Sequence, residues 1–405
     1  MNAAERMQAK VHIDADQLVM RFTERVNATV DEPAARHAYR AGFDLLRSQL
    51  PMYPASGPRA STVFESAANT MRLLAARCLP LGMAVAMHLY PLCALQCVPL
   101  PLLSPARFKR TMLLRTVRNR SLILANAGSE RAKGADQPLI ATQCADGIRI
   151  DGMYEYMSLA SVADIVLFKA KLAGSDQAVL CAADLGSDSV RIGKWKFSGS
   201  MRLSDTSSAT FTSHFVPHGR YLLVPDDDDD VRCIADYQRC WFHLFLAEIY
   251  LARLEHLHRV WRLPQTAEHI ICRNEMARLR EYSLHLLDDF SPDSGIERLK
   301  KTTSALKLGV SLLAQSTVTA LHSRDAPTAA DTQQLAADAG ELCYIKSQPT
   351  ADERILRSLG VSSALCSTAA SSTTLTRLAA CPTAPVLPEP PRPSHQAPRR
   401  LLGSS

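Results

Sequence analysis

The sequence predicts an α+β protein in which a β domain lies between two helical domains. Over residues 147–225, apolar side chains alternate with polar ones, and turn sequences such as Asp151-Gly152 separate the alternating stretches. A spacing of two places alternate side chains on one face of a strand, so these stretches are half-buried strands. The alternating pairs are Ile148/Ile150, Val166/Phe168, Val190/Ile192, Trp195/Phe197 and Phe211/Phe215. We therefore expect an antiparallel β-barrel or sandwich, assigned to residues 121–225.

Residues 1–120 are predicted to form the N-terminal helical domain. Their apolar residues recur at helical spacing in Val11–Ala28, Pro33–Leu50 and Ser61–Arg77. The next run, Cys78–Leu103, is strongly apolar but contains four prolines. A membrane helix needs about 20 apolar residues whose backbone groups are all satisfied. We therefore predict two or three short buried helices in this run and no membrane span.

The chain after the β domain is predicted to be a linker, a helical domain and a tail. Five successive carboxylates, Asp226–Asp230, repel one another, so residues 226–235 are expected to be an extended, solvated linker. Residues 236–360 form the C-terminal helical domain, and the Ser/Thr/Pro-rich residues 367–405 lack the apolar content to fold. The predicted helices are Asp236–Arg262, Gln265–Asp289, Gly295–His322, Thr328–Cys343 and Ala351–Leu359.

Charge and cysteine content restrict the class of protein. The chain has 405 residues and a net charge of +6, with its basic residues scattered, so we expect no nucleic-acid partner and no membrane partner. Eleven cysteines at irregular spacing, without a CxxC pair, are typical of reduced thiols. The polar N-terminus is unlike a secretory signal, so a cytoplasmic location is expected. The sequence contains no GxGxxG, P-loop, HExxH or GxSxG motif.

Three segments, in order, resemble landmarks of the acyl-CoA dehydrogenase family of flavoproteins. NAGSE at Asn126–Glu130 is similar to the family's GAGSD turn. Asp151-Gly152 followed by Tyr156-Met157-Ser158 resembles its NG…WIT segment, and GSMRLSDTSSATF at Gly199–Phe211 resembles its GMR-T-S hairpin. The resemblance spans roughly residues 20–360. It implies that the C-terminal helices form a four-helix bundle, which in the family also builds homodimer and homotetramer contacts.

The resemblance implies an FAD site on the β domain. Carried over by position, Ser129, Tyr156 and Ser158 would contact the cofactor, and Gln265 would lie at its adenine end. Tyr156 replaces the family's tryptophan and Ser158 its threonine, so an aromatic face and a hydroxyl donor are kept. Ile123-Leu124 stands where the family has Thr-Glu, which removes one polar contact.

The resemblance also implies oxidation of the Cα–Cβ bond of an acyl thioester, carried on CoA or on a carrier protein. That reaction needs a carboxylate base whose pKa is raised by burial. The family's glutamate is absent here, because the corresponding segment reads LGVSSALCSTAASS. Four other glutamates lie in the C-terminal domain, but none can be placed in register, so the catalytic base stays unassigned. They are Glu248, Glu255, Glu341 and Glu353.

Three other interpretations stay open at this stage. A flavin-dependent monooxygenase or oxidase of the same fold needs no α-proton base, since reduced flavin itself activates oxygen. Such an enzyme uses a flavin reductase, whereas a dehydrogenase uses an electron-transfer partner. A non-catalytic relative could have kept the fold. A di-iron bundle would use Glu255-x-x-His258, but the next helix offers Glu281 and His285 at the wrong spacing.

Overall fold

The predicted order of helices, sheet and helices is the observed one. The computed structural model describes residues 16–29, 31–57, 59–127, 139–220, 228–291, 296–324, 327–343 and 345, with the side chains of 228–232 left out. The N-terminal domain contains five helices: α1 (16–27), α2 (Glu32–Gln49), α3 (Ala60–Arg77), α4 (Leu79–Cys97) and α5 (Pro105–Asn119). Asp31 and Ser104 cap α2 and α5, each accepting a backbone N–H three residues ahead.

Helix α4 corrects the prediction made from the prolines. Cys78–Leu103 does not form two or three short helices, since 19 of its residues form one continuous helix. Pro80 lies in the first turn, where its missing N–H is not needed, and Pro91 is inside the helix. Burial compensates for the lost hydrogen bond at Pro91, because α4 packs on α3, α6 and β1. In the described part of the chain, α4 alone is long and apolar enough to cross a membrane, and 89% of its apolar window is buried.

The contact between α3 and α4 is unusually close at one position. A Cβ atom added to Gly82 would lie 2.5 Å from the Cβ of Ala75. Such a distance is shorter than van der Waals contact, so only glycine allows the two helices to approach this closely. Gly82, Ala84 and Ala86 are all buried. These small residues therefore serve helix packing.

The middle domain is a curled sheet of seven strands, with the order β1-β4-β2-β3-β7-β6 and with β5 paired to β4. The strands are β1 (Leu124–Ala127), β2 (Ile140–Cys144), β3 (Gly147–Met157), β4 (Ile165–Leu172), β5 (Ala178–Asp184), β6 (Val190–Trp195) and β7 (Ser207–Pro217). The prediction of an antiparallel sheet is wrong for two pairings. Strands β1 and β2 follow each other along the same edge of β4 and both run parallel to it, so the sheet is mixed.

Both faces of the sheet are buried where β4 and β5 lie. Ile165 and Leu167 of β4 face the helical core, whereas Val166 and Phe168 face the interior of the curled sheet. Strand β5 is divided between the two cores in the same way and is buried along nearly its whole length. A strand covered on both faces is apolar without alternation, which is why the spacing of two did not reveal β5.

The described part of the C-terminal domain contains four helices: α6 (Asp228–Val260), α7 (Ala267–Asp288), α8 (Ile296–His322) and α9 (Ala329–Cys343). The linker predicted for 226–235 is wrong from Asp228 onward, because α6 begins within the acidic run. Carboxylates in a first helical turn interact favourably with the helix dipole. Trp241 and Phe245 of α6 pack on Phe64 of α3, so the N- and C-terminal helices share one core. The predicted Ala351–Leu359 helix and the 367–405 tail lie outside the described residues.

Candidate functional site

The end of β3 and the start of β7 are joined by a chain of hydroxyl groups. A 3₁₀ turn, Gly199–Ser204, precedes β7. The Ser158 hydroxyl, just after β3, lies 2.9 Å from that of Thr206, which in turn lies 2.9 Å from that of Ser204. Ser204 and Thr206 are buried, whereas Ser158 is half-buried. Of these three hydroxyl groups, that of Ser158 can therefore also reach a ligand, since a hydroxyl both donates and accepts a hydrogen bond.

Two residues in this region have left-handed backbone conformations that non-glycine residues rarely adopt. The φ angles of Leu159 and Asp205 are 62° and 49°. Such conformations cost on the order of 1–3 kcal/mol and persist only where surrounding contacts enforce them. Here the Ala160 N–H donates to the Asp205 carbonyl over 3.0 Å. We call residues 158–161 together with 204–207 the β3–β7 clamp.

Asp205 is the centre of the β3–β7 clamp. Its carboxylate accepts hydrogen bonds from the Ser161 backbone N–H at 2.7 Å, the Ser161 hydroxyl at 2.6 Å and the Trp195 indole N–H at 2.7 Å. The side chain is fully buried, and burial raises the pKa of Asp205 even though these donors favour the charged form. The three bonds explain how the strained turn is held.

Helix α2 fixes the clamp from the helical side. The Arg36 guanidinium donates to the Ser161 hydroxyl at 3.2 Å and to the Ser207 hydroxyl at 2.8 Å. It also lies 5.2 Å from the centre of the Trp195 ring, within cation–π range. The Tyr39 hydroxyl donates to the carbonyl of Leu203 over 3.1 Å. The clamp is thus bound to the N-terminal domain as well as to its own sheet.

Tyr156 supplies an aromatic surface beside Ser158. Tyr156 is the second-last residue of β3, and Ser158 lies two positions further along, directly after the strand. The Tyr156 ring stacks on Phe197 with centroids 6.2 Å apart and an interplanar angle of 24°. The Lys196 ammonium lies 5.7 Å from the Tyr156 ring centre and pairs with Glu155 at 3.1 Å. The end of β3 and its neighbours thus offer the half-buried ring of Tyr156, the hydroxyl of Ser158 and the cation of Lys196.

A second polar contact lies where α4 meets β1. The Asn126 side-chain amide donates to the hydroxyl of Tyr90, and both residues are buried. Nearby, the His88 ring accepts the Leu124 N–H at Nδ1 over 2.9 Å and contacts the Met52 carbonyl at Nε2 over 2.9 Å. Nε2 therefore carries the proton, and burial lowers the pKa of His88 to about 4, which keeps it neutral. Asn126 opens the NAGSE segment, whose Ser129 lies outside the described residues.

Neither a protein-family model nor a curated protein matches the chain. Solved structures align over most of its length. The butyryl-CoA dehydrogenase of Megasphaera elsdenii aligns with a TM-score of 0.63 at 14% identity, over 86% of this chain and 97% of its own. The dibenzothiophene monooxygenase TdsC of Paenibacillus sp. A11-2, in complex with FMN and indole, aligns with a TM-score of 0.62 at 17% identity, over 87% and 95%. PigA, solved with FAD and proline, aligns with a TM-score of 0.62 at 15% identity, over 89% and 98%.

The chain has the acyl-CoA dehydrogenase fold. The resemblance read from three sequence segments is thereby confirmed at the level of the fold, including the middle sheet between two helical domains. Identities of 14–17% show the fold and leave the reaction to be argued from this chain's own residues.

The β3–β7 clamp has the chemistry that a flavin requires on this fold. A flavin ring is flat and carries both donors and acceptors, so it packs on an aromatic side chain and bonds to a hydroxyl. Tyr156 and Ser158 provide an aromatic side chain and a hydroxyl two positions apart in the chain. Their contact with a flavin stays a prediction, and the buried partners that hold them were not predicted. The residues present therefore fit the ring of a flavin.

Gln265 is not beside Tyr156 and Ser158. It lies exposed in the connection between α6 and α7, where it lines a cavity of about 400 Å³. His258 and His269 line the same cavity, with ring centres 4.2 Å apart. Arg273 at its edge pairs with Glu255 at 3.0 Å. A role for Gln265 at the adenine end of FAD stays a prediction.

Each described candidate for the catalytic base is bound to arginine. Glu248 pairs with Arg72 through one oxygen and with Arg280 through the other, at 2.7 Å for the second. Glu255 is exposed and paired with Arg273. Glu341 is buried and lies 3.0 Å from Arg253, and burial raises its pKa. Glu353 lies outside the described residues.

The di-iron interpretation lacks the inward-facing ligands that it needs. His258 contacts the Thr317 hydroxyl at 3.2 Å, while Glu281 and His285 are exposed on α7. Over the described residues, no group of three or more His, Cys, Asp or Glu side chains converges to hold a metal ion. Cys93 is buried and Cys97 largely so, and burial raises the pKa of both thiols.

Several residues that organise the site were missed by sequence reasoning. Asp205, Arg36 and His88 are far apart in the chain from the partners that they bind, so no local spacing marks them. Asn126 and Asp205 both belong to segments that the resemblance had singled out, but neither was named as a site residue. Tyr90, the partner of Asn126, could only be found from the packing of α4 on β1.

Proposed function

We propose that the chain is a flavin-dependent oxidoreductase that works without a carboxylate base, as a flavin monooxygenase. One observation carries this proposal: Glu248, Glu255 and Glu341, the described candidates for the base, are all bound to arginine. An arginine partner favours the charged form of a carboxylate and so makes it a weaker proton acceptor. Burial outweighs this effect at Glu341, whose pKa is raised, but Glu341 is buried and held by Arg253 between α6 and α9. Tyr156 and Ser158, in contrast, offer the aromatic side chain and the hydroxyl that a flavin ring would contact.

Within this proposal, Tyr156 and the clamp residue Ser158 bind and orient the flavin. Tyr156 would cover one face of the cofactor ring, and Ser158 would bond to its polar edge while keeping its contact to Thr206. A bound reduced flavin would supply two electrons to O₂, so that one oxygen atom enters the substrate and the other leaves as water.

The aligned structures support both flavins as candidates. TdsC was solved with FMN and PigA with FAD, so the choice between FMN and FAD is part of the test. The proposal also requires a separate flavin reductase as partner, because the reaction consumes a reduced flavin. Oxidation of an acyl thioester is the weaker alternative, since it needs the base that arginine pairing removes.

The first experiment measures flavin binding to the full-length protein by fluorescence quenching of FMN and FAD. We expect saturable binding, weakened about tenfold by Ser158→Ala and more by Tyr156→Ala, since a lost hydrogen bond contributes about 1–1.5 kcal/mol. Ser175→Ala, the same change in the turn between β4 and β5, is the control and should bind as the parent does. Absence of binding to either flavin would leave the non-catalytic alternative.

The second experiment separates the two reactions. Butyryl- to palmitoyl-CoA is added anaerobically to the flavin-loaded protein, and the flavin absorbance is followed. We expect no bleaching. Bleaching by an acyl-CoA would identify a dehydrogenase and refute the monooxygenase proposal. With NADH, a flavin reductase and indole or dibenzothiophene as probes, we expect oxygen-18 from O₂ in the product.

A further inference from the structure

Four large apolar side chains are exposed together at the start of α5. Leu102 and Leu103, in the loop before the helix, are 77% and 98% exposed, and Phe108 and Met112 on the helix are 68% and 45% exposed. Phe108 and Met112 are one helical turn apart, so they lie on one face. We call these four residues the α5 patch. Contiguous apolar surface of this kind marks a site of interaction.

The α5 patch lies in the most basic part of the chain. Residues 105–120 contain six cations and no carboxylate, and the whole of residues 66–129 contains neither Asp nor Glu. This short segment therefore carries as much positive charge as the net charge of the entire protein, which is +6. The six cations are Arg107, Lys109, Arg110, Arg115, Arg118 and Arg120.

Helix α5 presents this surface outward. Its inner face is formed by Ala106, Leu113 and Val117, which are buried against the protein. The opposite face carries Phe108, Met112 and the exposed Arg115. A helix with one apolar docking side and an outer side of apolar and cationic residues is typical of segments that lie on membrane surfaces.

Charge limits which molecules can bind the α5 patch. Residues 346–405 carry seven cations and three carboxylates, so this segment has the same sign as the α5 patch and does not complement it. A second copy that presented the same patch would also bring positive charge against positive charge. The occupant is therefore expected to be anionic.

We infer that the α5 patch binds an anionic lipid surface. The most exposed side chains are two adjacent leucines at a loop tip, and a bilayer accepts a protruding apolar side chain without a preformed pocket. The exposed arginines of the segment, Arg115 and Arg120, would meet lipid phosphates, a contact that favours binding by about fivefold per cation. This inference replaces the expectation from the sequence that the protein has no membrane partner. Because α4 is buried in the protein core, this attachment is to the surface and does not span the bilayer. It does not depend on the proposed flavin chemistry.

The test is co-sedimentation of the full-length protein with large unilamellar vesicles. Vesicles of phosphatidylcholine alone are compared with vesicles that contain 30% phosphatidylglycerol. We expect binding to the anionic vesicles, at least tenfold weaker binding to the neutral ones, and release by 0.5 M salt. The variants Leu103→Asp and Phe108→Asp should each weaken binding about tenfold or more, and Arg115→Glu severalfold.

Ile270→Asp is the matched control, because Ile270 is a similarly exposed apolar residue on α7. It should bind vesicles as the parent does, and all variants should keep the parent's circular dichroism and melting temperature. Equal binding by the Leu103 variant, or no binding to anionic vesicles, would overturn the inference. So would binding to polyglutamate or heparin but not to vesicles. A change in oligomeric mass caused by Arg115→Glu without vesicles would instead show a contact between copies.

Discussion

Two regions of the molecule bury carboxylates in opposite ways. In the β3–β7 clamp, Asp205 is surrounded by neutral donors, Ser161 and Trp195, with Arg36 nearby. Between α6 and α9, Asp338 and Glu341 share Arg253, at 2.8 and 3.0 Å. The first arrangement shapes a strained turn within one domain. The second joins separate helices, because Arg253 also donates to the carbonyl of Ala76 at the end of α3.

The difference teaches which contacts serve the site and which serve the fold. A carboxylate satisfied by neutral hydrogen bonds stays tolerant of protonation, and burial raises the pKa of Asp205. Asp338 also accepts hydrogen bonds from the Trp261 indole N–H and the Gln334 amide, both at 2.8 Å, but Arg253 is the cation that both buried acids share. We therefore expect loss of Arg253 to damage the whole molecule and loss of Asp205 to damage mainly the clamp.

The largest effect is expected from Arg253→Met. It leaves Asp338 and Glu341 buried without their cation, which should lower the free energy of unfolding by about 3–5 kcal/mol. Urea denaturation followed by circular dichroism measures this change. Arg278→Met is the control, because Arg278 is exposed and 3.9 Å from Glu275, and it should change stability by less than about 0.5 kcal/mol. A loss below about 1 kcal/mol for Arg253→Met would remove the contrast between the two regions.

His88, which joins α4 to β1, provides a test through pH. Burial lowers the pKa of His88 to about 4 from 6.5, so the unfolded chain binds a proton that the folded chain does not. Its contribution is present above pH 6.5 and is lost as the pH falls through about 4, by up to about 3 kcal/mol. His88→Gln should remove the His88 contribution to the pH dependence of the free energy of unfolding between pH 7 and pH 4, measured by urea denaturation at each pH. His37→Gln, on the exposed side of α2, should retain the parent's slope.

Asp205→Ala should lower the unfolding free energy by about 2 kcal/mol, since three buried donors lose their acceptor. Asp205→Asn should lose less, because asparagine tolerates a left-handed backbone and keeps one acceptor oxygen. Because the pKa of Asp205 is raised, its contribution to the free energy of unfolding is complete at low pH. That contribution declines as the pH rises through the raised pKa. The deficit of the asparagine variant should therefore shrink with rising pH. Thermal unfolding at pH 4 and pH 8 measures both effects, and a deficit that grows with pH would contradict them.

The smallest effect is expected from Thr206→Val, which interrupts the hydroxyl chain between Ser158 and Ser204. Loss of the Thr206 hydrogen bonds to Ser158 and Ser204 should lower the free energy of unfolding by about 1–2 kcal/mol. Flavin affinity should fall severalfold, because Ser158 loses the partner that orients it. Thr319→Val, an exposed site on α8, is the control for both measurements. Unchanged flavin affinity with the expected loss of stability would assign the chain of hydroxyls to folding alone.

The helices and the middle sheet could be predicted because their apolar spacing reflects one buried face. The same reasoning failed where burial is complete. Strand β5 has no alternation because both of its faces are covered, and α4 tolerates Pro91 because surrounding helices hold it. The parallel pairing of β1 and β2 with β4 depends on register between distant segments, which no local pattern shows.

Some residues of the candidate site could be named from the sequence and others could not. Tyr156 and Ser158 were named because they occupy matching positions in the segment that resembles the family's NG…WIT sequence. Asp205 was not, since its left-handed conformation follows from contacts with Ser161 and Trp195 that only the folded chain makes. Gln265 was placed by position in a resemblance, and the structure shows it in a different part of the molecule from the clamp.

Helix α4 has a consequence for how the protein is made. Helix α4 packs against α6, and α6 begins at Asp228, more than a hundred residues after α4 ends at Cys97. At about 5–20 residues per second, translation leaves this apolar segment without its cover for on the order of ten seconds. A newly synthesised chain would thus expose a strongly aggregation-prone segment until its second half leaves the ribosome, and chaperone binding during synthesis would protect it.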